Sequence, residues 1–172
     1  MSDTSIVLAD GIEASRMATE LFFTGFDDSN RTSQAPGLPN HFAWTVGHLA
    51  YVMHRAAERF DGAALPESEF VATTRGDSHR FGIEGVAKDS VPIADASAYP
   101  GDARSREIFA KAAARLVAAV RGASDEKLAS TTKWGARDMT LSALASRMGF
   151  HNGFHAGQLA SLRKALGMKG IL

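Results

Sequence analysis

The chain has 172 residues, 45% apolar and 22% charged, which is enough for one domain with a buried core. Its 19 Lys and Arg balance its 19 Asp and Glu, so no net charge recommends nucleic acid or an anionic membrane as a partner, and small molecules or other proteins remain. There is no cysteine, which excludes disulfides, thiolate metal ligands and a cysteine nucleophile. Any metal must be held by His, Asp, Glu or backbone, and any thiol must come from outside.

The Met1-Ser2-Asp3-Thr4 start lacks the basic residues and apolar run of a secretion signal. No stretch approaches the roughly 18 apolar residues of a membrane span. Together with the lack of disulfides, these features point to the cytoplasm.

The first helix is predicted from about Thr4 to Gly25, with Val7, Ala14, Met17, Ala18 and Leu21 at helical spacing as its apolar face. The Gly, Asp, Ser and Asn residues that follow are turn chemistry. Phe22 and Phe23 read as core or as an oligomer contact. The second helix is predicted to start near Pro39-Asn40, with Asn40 as N-cap. Phe42, Val46, Leu49, Met53, Ala56 and Phe60 form its stripe, and Asp61-Gly62 stops it.

From Ala63 to Gly101 the periodicity breaks down among Pro66, Pro92, Pro100 and several glycines, as expected for a long, partly ordered crossover. A third helix is predicted from Asp102 to Arg121, with Phe109, Ala112, Ala113, Leu116, Val117 and Val120 on one face. A short turn can begin at Ser124. The fourth helix runs from the Thr140 cap to Gly167, with Leu141, Leu144, Ala145, Met148, Leu159, Leu162 and Leu166 as its stripe. Neither an internal repeat nor a second domain is visible, so residues 1–172 read as a single domain. Four long helices and one long connection predict an all-α four-helix bundle.

His151 and His155 fill the one gap in the last stripe. Residues four apart sit about 6 Å along one helix face, so two imidazoles can converge on one ion. A buried imidazole must satisfy both ring nitrogens. Metal ligation does this, and so do ordinary hydrogen bonds to backbone or water. His48, on the shoulder of the second helix beside Trp44, Tyr51 and Val52, favours the metal. Three imidazoles would leave an open coordination position, as in catalytic rather than structural sites.

His41 lies about 10.5 Å down the axis from His48, too far to share the ion, and is expected at a pocket mouth with Trp44, Val52 and Arg55. His54 is expected to be exposed, and His79 lies in the crossover. Arg55 and Arg59 share the His48 side, where they read as solvated or snorkelling side chains that can also attract an anion. There is no Walker-type loop, Gly-x-Ser-x-Gly elbow or evident carboxylate couple, so no catalytic residue is assigned.

The segments Asn40 to Leu49 (NHFAWTVGHL) and His151 to Leu159 (HNGFHAGQL) resemble the DinB-like (damage-inducible) superfamily. Its members carry a Trp-x-x-Gly-His-Leu type motif on the second helix and His-x-x-x-His-x-Gly-Gln-Leu on the last. Lys133-Trp134-Gly135 and the run from Thr140 fit the usual lead-in, and the resemblance covers all four helices. It implies an up-down-down-up bundle, a divalent ion (zinc or nickel) on His48, His151 and His155, and a homodimer. Phe22, Phe23 and Phe26 are the sequence features offered for that dimer.

Some relatives are thiol-dependent, namely mycothiol-dependent maleylpyruvate isomerase and bacillithiol S-transferases. The resemblance therefore implies, as leading expectation, a metal-dependent transferase using a low-molecular-weight thiol. The crossover would shape the pocket for the electrophile. The alternatives are a metal-dependent hydrolase and a non-enzymatic, metal-stabilised stress-response bundle.

Overall fold

The computed structural model describes residues 2–71 and 79–171. Four long helices carry the architecture: α1 (Asp3–Leu21), α2 (Phe42–Asp61), α5 (Asp102–Arg121) and α7 (Leu141–Ala165). Between α2 and α5 lie α3 (Glu67–Phe70), α4 (Ile83–Val86) and a single 3-10 turn at Ala96–Ala98. Between α5 and α7 come α6 (Asp125–Ala129) and an antiparallel hairpin, β1 (Thr131–Trp134) with β2 (Arg137–Thr140).

Side-chain contacts fix the helix directions. Thr19 and Ser15 of α1 reach Asn152 of α7, and Gly11 lies beside Gly149, so these two helices run parallel. Arg121 pairs with Asp10, and Arg106 near the start of α5 donates to the Phe23 carbonyl just past α1, setting α5 antiparallel to α1. Arg115 pairs with Asp61 while Phe109 and Phe42 both meet Phe23, setting α5 parallel to α2. The order is up-down-down-up. Two consecutive parallel helices require the chain to travel back along the bundle, about 30 Å for a 20-residue helix, and the crossover does this.

The described part of the crossover is packed against the bundle, with Leu65, Phe70, Phe81, Val86 and Tyr99 buried in the common core. Residues 72–78 of it lie outside the described residues.

The boundaries of α5 coincide with those read from the sequence, and Gly62 ends α2 with a left-handed φ of 75°. Thr140 caps α7 by accepting from the Ala143 amide, and Ser124 caps α6. The cap of α2 is His41 rather than Asn40: its Nδ1 accepts the Trp44 amide at 3.1 Å, while its other ring nitrogen donates to the Ile93 carbonyl at 2.9 Å. The hairpin is an addition to the all-helical pattern expected from the sequence. Its signal is a two-residue link, Gly135-Ala136, with Gly135 at φ 62°, a conformation that favours glycine.

The face assigned to α1 is overturned. Val7 (70% exposed), Ala14, Met17, Ala18 and Leu21 all point outward, and Ser5, Ala9, Ile12 and Thr19 point in. Apart from Ile12 the inward face is small and polar, and its hydroxyls are satisfied across helices. Ser5 donates to the Arg121 carbonyl at 3.0 Å, and Asn152 donates to Ser15 at 3.0 Å. Small side chains let α1 and α7 approach closely, a gain that counting apolar residues does not register.

Phe23 and Phe26 are core residues packed edge-on or stacked against Phe42, and Phe22 is partly buried against the same core, so Phe23 and Phe26 do not form an oligomer surface. No helix among the described residues is long and apolar enough to cross a membrane.

Candidate metal centre

The site lies where α2 and α7 cross antiparallel. His48 comes from α2, and His151 and His155 come from successive turns of α7. One ligand nitrogen from each of the three rings lies within 4.8 Å of the others. The ring centroids are 5.2 Å apart for His48 and His151, 5.0 Å for His48 and His155, and 4.6 Å for the α7 pair. No carboxylate or fourth imidazole joins the cluster among the described residues.

Two of the rings are held from behind. His48 Nδ1 donates to the Val86 carbonyl at 2.7 Å, and His155 Nδ1 donates to Gln158 Oε1 at 2.8 Å. Each bond fixes a tautomer that leaves Nε2 unprotonated, which is how metal-binding imidazoles are usually oriented. Trp44 stacks on His48 at 4.7 Å and 7° between planes, which locks the ring rotation.

His151 is different: its Nδ1 is buried and has no hydrogen-bond partner. A ring crowded between two other imidazoles with an unmet nitrogen is a costly arrangement for a purely structural core. Coordination of a cation through that Nδ1 would meet it, so the donor set fits a divalent ion. An all-imidazole set suits zinc, nickel, copper or iron.

The rings are neutral around pH 7, as ligation requires. Burial pushes His151 down to about 3, helped by repulsion from His155, His48 and Arg147. Burial likewise lowers His155 to about 4, helped by His48 and opposed by the bond to Gln158. His48 is lowered by burial, with the Val86 carbonyl opposing.

Gly47 explains why a glycine precedes His48. A Cβ there would lie 2.6 Å from the Phe81 ring and 2.9 Å from Val86 Cγ1. Its absence lets the crossover seat directly on α2 and brings the Val86 carbonyl to His48. Gly47→Ala is expected to destabilise the protein by about 1–3 kcal/mol through overpacking. It should also weaken metal affinity by loosening the bond behind His48. Urea melts and a zinc titration would test both, and an unchanged affinity would mean that Val86 does not position the ring.

The other sequence candidates divide. Val52 and Arg55 line a cleft of about 380 Å³ that opens beside His48 and His151. Arg59, which shares the His48 side of α2 with Arg55, lines it too, as do Lys133 and Trp134 of the hairpin. Trp44 backs His48 from within the core rather than lining the cleft.

His41 is fully buried as a helix cap and lies away from the pocket mouth. His54 is 3% exposed rather than solvated, edge-on to Phe70 and 3.2 Å from Arg115. His79 is absent from the cluster, and its carbonyl accepts from Arg104. A second opening of about 310 Å³ reaches His151 and His155 past Phe150 and Phe154.

The sequence model of the DinB superfamily matches residues 12–159, a span that contains all three histidines. The fold is similar to the crystal structure of a conserved protein from Enterococcus faecalis, with a TM-score of 0.71 at 12% identity, covering 97% of this chain and 99% of that one. No curated protein matches the chain.

Proposed function

Because the chain belongs to the DinB superfamily, we propose that His48, His151 and His155 hold one divalent ion, zinc or nickel, in a transferase that works on a small thiol. The carrying observation is the convergence of three rings, two held by hydrogen bonds at Nδ1, beside an open cleft with no fourth protein ligand among the described residues. When bound, a divalent ion there supplies Lewis acidity and lowers the pKa of a group entering its open position.

The chain's own residues do the rest. Val86 and Gln158 hold the ring tautomers. Trp44 and the buried core exclude water from the back of the site. The cleft admits a ligand from the His48 and His151 side. With no cysteine in the chain, the thiol has to be a diffusible one. A hydrolase would need a general base, and no carboxylate among the described cleft residues supplies one. This favours the transferase over the hydrolase.

Cobalt-substituted protein titrated with glutathione, bacillithiol, mycothiol and cysteine tests the reading. A sulfur-to-cobalt charge-transfer band with at least one thiol is expected, strengthening as pH rises toward that thiol's pKa. A spectrum indifferent to all four, with the triad intact, would end the transferase reading.

A further inference from the structure

The cleft beside the triad is strongly basic in a chain of zero net charge. Arg55, Arg59, Lys88, Lys133 and Arg147 all line it, and no described lining residue is acidic. These five cations come from α2, the crossover, the hairpin and α7, four segments distant in sequence, so the clustering arises only on folding.

Two have local partners: Arg55 pairs with Glu58 at 2.8 Å, and Lys88 pairs with Asp89 at 2.8 Å. Arg59, Lys133 and Arg147 are exposed and have no ion pair among the described residues. Like charges gathered around a concave surface repel one another, and a bound anion relieves that repulsion. Between the cations the walls are apolar or aromatic, with Tyr51, Val52, Trp134 and Met148.

We infer that this cleft binds an organic acid carrying two or more carboxylates on an apolar body, seated with one end toward His48 and His151. The inference rests on the triad being the reacting centre and adds the class of ligand presented to it. Guanidinium groups match carboxylates in paired hydrogen bonds, and Arg59 and Arg147 line the cleft from two different helices, α2 and α7. A second carboxylate can meet Lys88 or Lys133. The volume of about 380 Å³ suits a compact molecule. The aromatic wall of Tyr51 and Trp134 favours a planar body over a free inorganic anion.

Calorimetric titration of the full-length, zinc-loaded chain with phthalate, phthalamide and inorganic phosphate tests this. Phthalate should bind, more weakly at high salt, and phthalamide should not. The double variant R59A/R147A removes two exposed, unpaired side chains, so the fold should survive. Its phthalate affinity should fall about tenfold or more, with zinc content unchanged.

Equal binding of phthalamide, or unchanged phthalate affinity in the double variant, would overturn the inference. So would phosphate binding as tightly as phthalate. Wild-type protein that takes up no zinc yet binds phthalate through these cations would overturn the metal reading and leave the pocket. Normal zinc uptake by a double variant that still binds phthalate would do the reverse.

Discussion

His151→Ala is expected to reduce zinc or nickel affinity by well over about 100-fold, since losing even the outer partner of a ligating ring costs 10–100-fold. His48→Ala and His155→Ala should do the same. The three rings converge within 4.8 Å, and no other His, Asp or Glu among the described residues is placed to substitute. Gln158→Ala should fall between wild type and the triad variants, because it leaves all three donors but frees the His155 ring to rotate.

The measurement is elemental analysis followed by competition against a chromogenic chelator. The metal-free triad variants should stay folded. They should also lose the metal-dependent rise in melting temperature that any ligand specific to the native state confers. Wild-type protein without metal after purification from metal-supplemented cells would mean that the orphaned His151 nitrogen is satisfied in another way.

The second large effect is acid unfolding of the metal-free protein that begins above the range in which carboxylates titrate. Burial lowers His41 and His54 from 6.5 to about 4. Burial foremost also lowers His151 to about 3 and His155 to about 4. Above pH 7 neither the folded nor the unfolded chain protonates these rings, and stability is insensitive to them. Below 6.5 the unfolded chain takes up protons that the folded chain refuses, so stability falls as pH falls. The loss continues until the folded rings titrate, near pH 4 for three of them and near pH 3 for His151.

Each ring contributes up to roughly 1.4 kcal/mol per pH unit in that window. Four together consume a typical stability of about 5–15 kcal/mol within one to three units. Circular dichroism with a chelator present should therefore show a cooperative transition between about pH 4 and 6. Zinc should move it to lower pH, because the metal adds stability to the folded state.

Carboxylates act later. Glu107, lowered to about 2 by hydrogen bonds from Lys111 and Arg104, favours the folded state only above that range, and its contribution is lost as pH falls from 4.5 toward 2. His41 and His54 lie outside the triad, so part of the transition should persist in His151→Ala. Metal-free protein that keeps its near-UV signal at pH 4 would show that these rings accept protons in the fold.

Much of the bundle and the histidine triad could be read directly from residue order. The stripes of α2, α5 and α7 are made of large apolar side chains repeating at the helical period, and Thr140, Gly62 and Gly122 punctuate them. These are local properties, settled within a turn or two of chain. The triad was visible for the same reason: His151 and His155 interrupt an apolar stripe where only a partnered polar group is tolerated.

Tertiary structure alone decided the rest, because there the partner is far away in sequence. The inward face of α1 is set by hydroxyls that find Arg121 and Asn152, more than 100 residues distant, so its exposed apolar side misled the period. His54 is buried because Phe70 and Arg115 arrive from the crossover and α5. His41 caps a helix because Ile93 accepts its second nitrogen. The basic cleft exists because four separate segments bring one or two cations each to one wall, and a zero net charge carries no trace of that arrangement. Periodicity records which face a helix can bury, whereas hydrogen bonds and charges between distant segments determine which face it does bury and what gathers beside it.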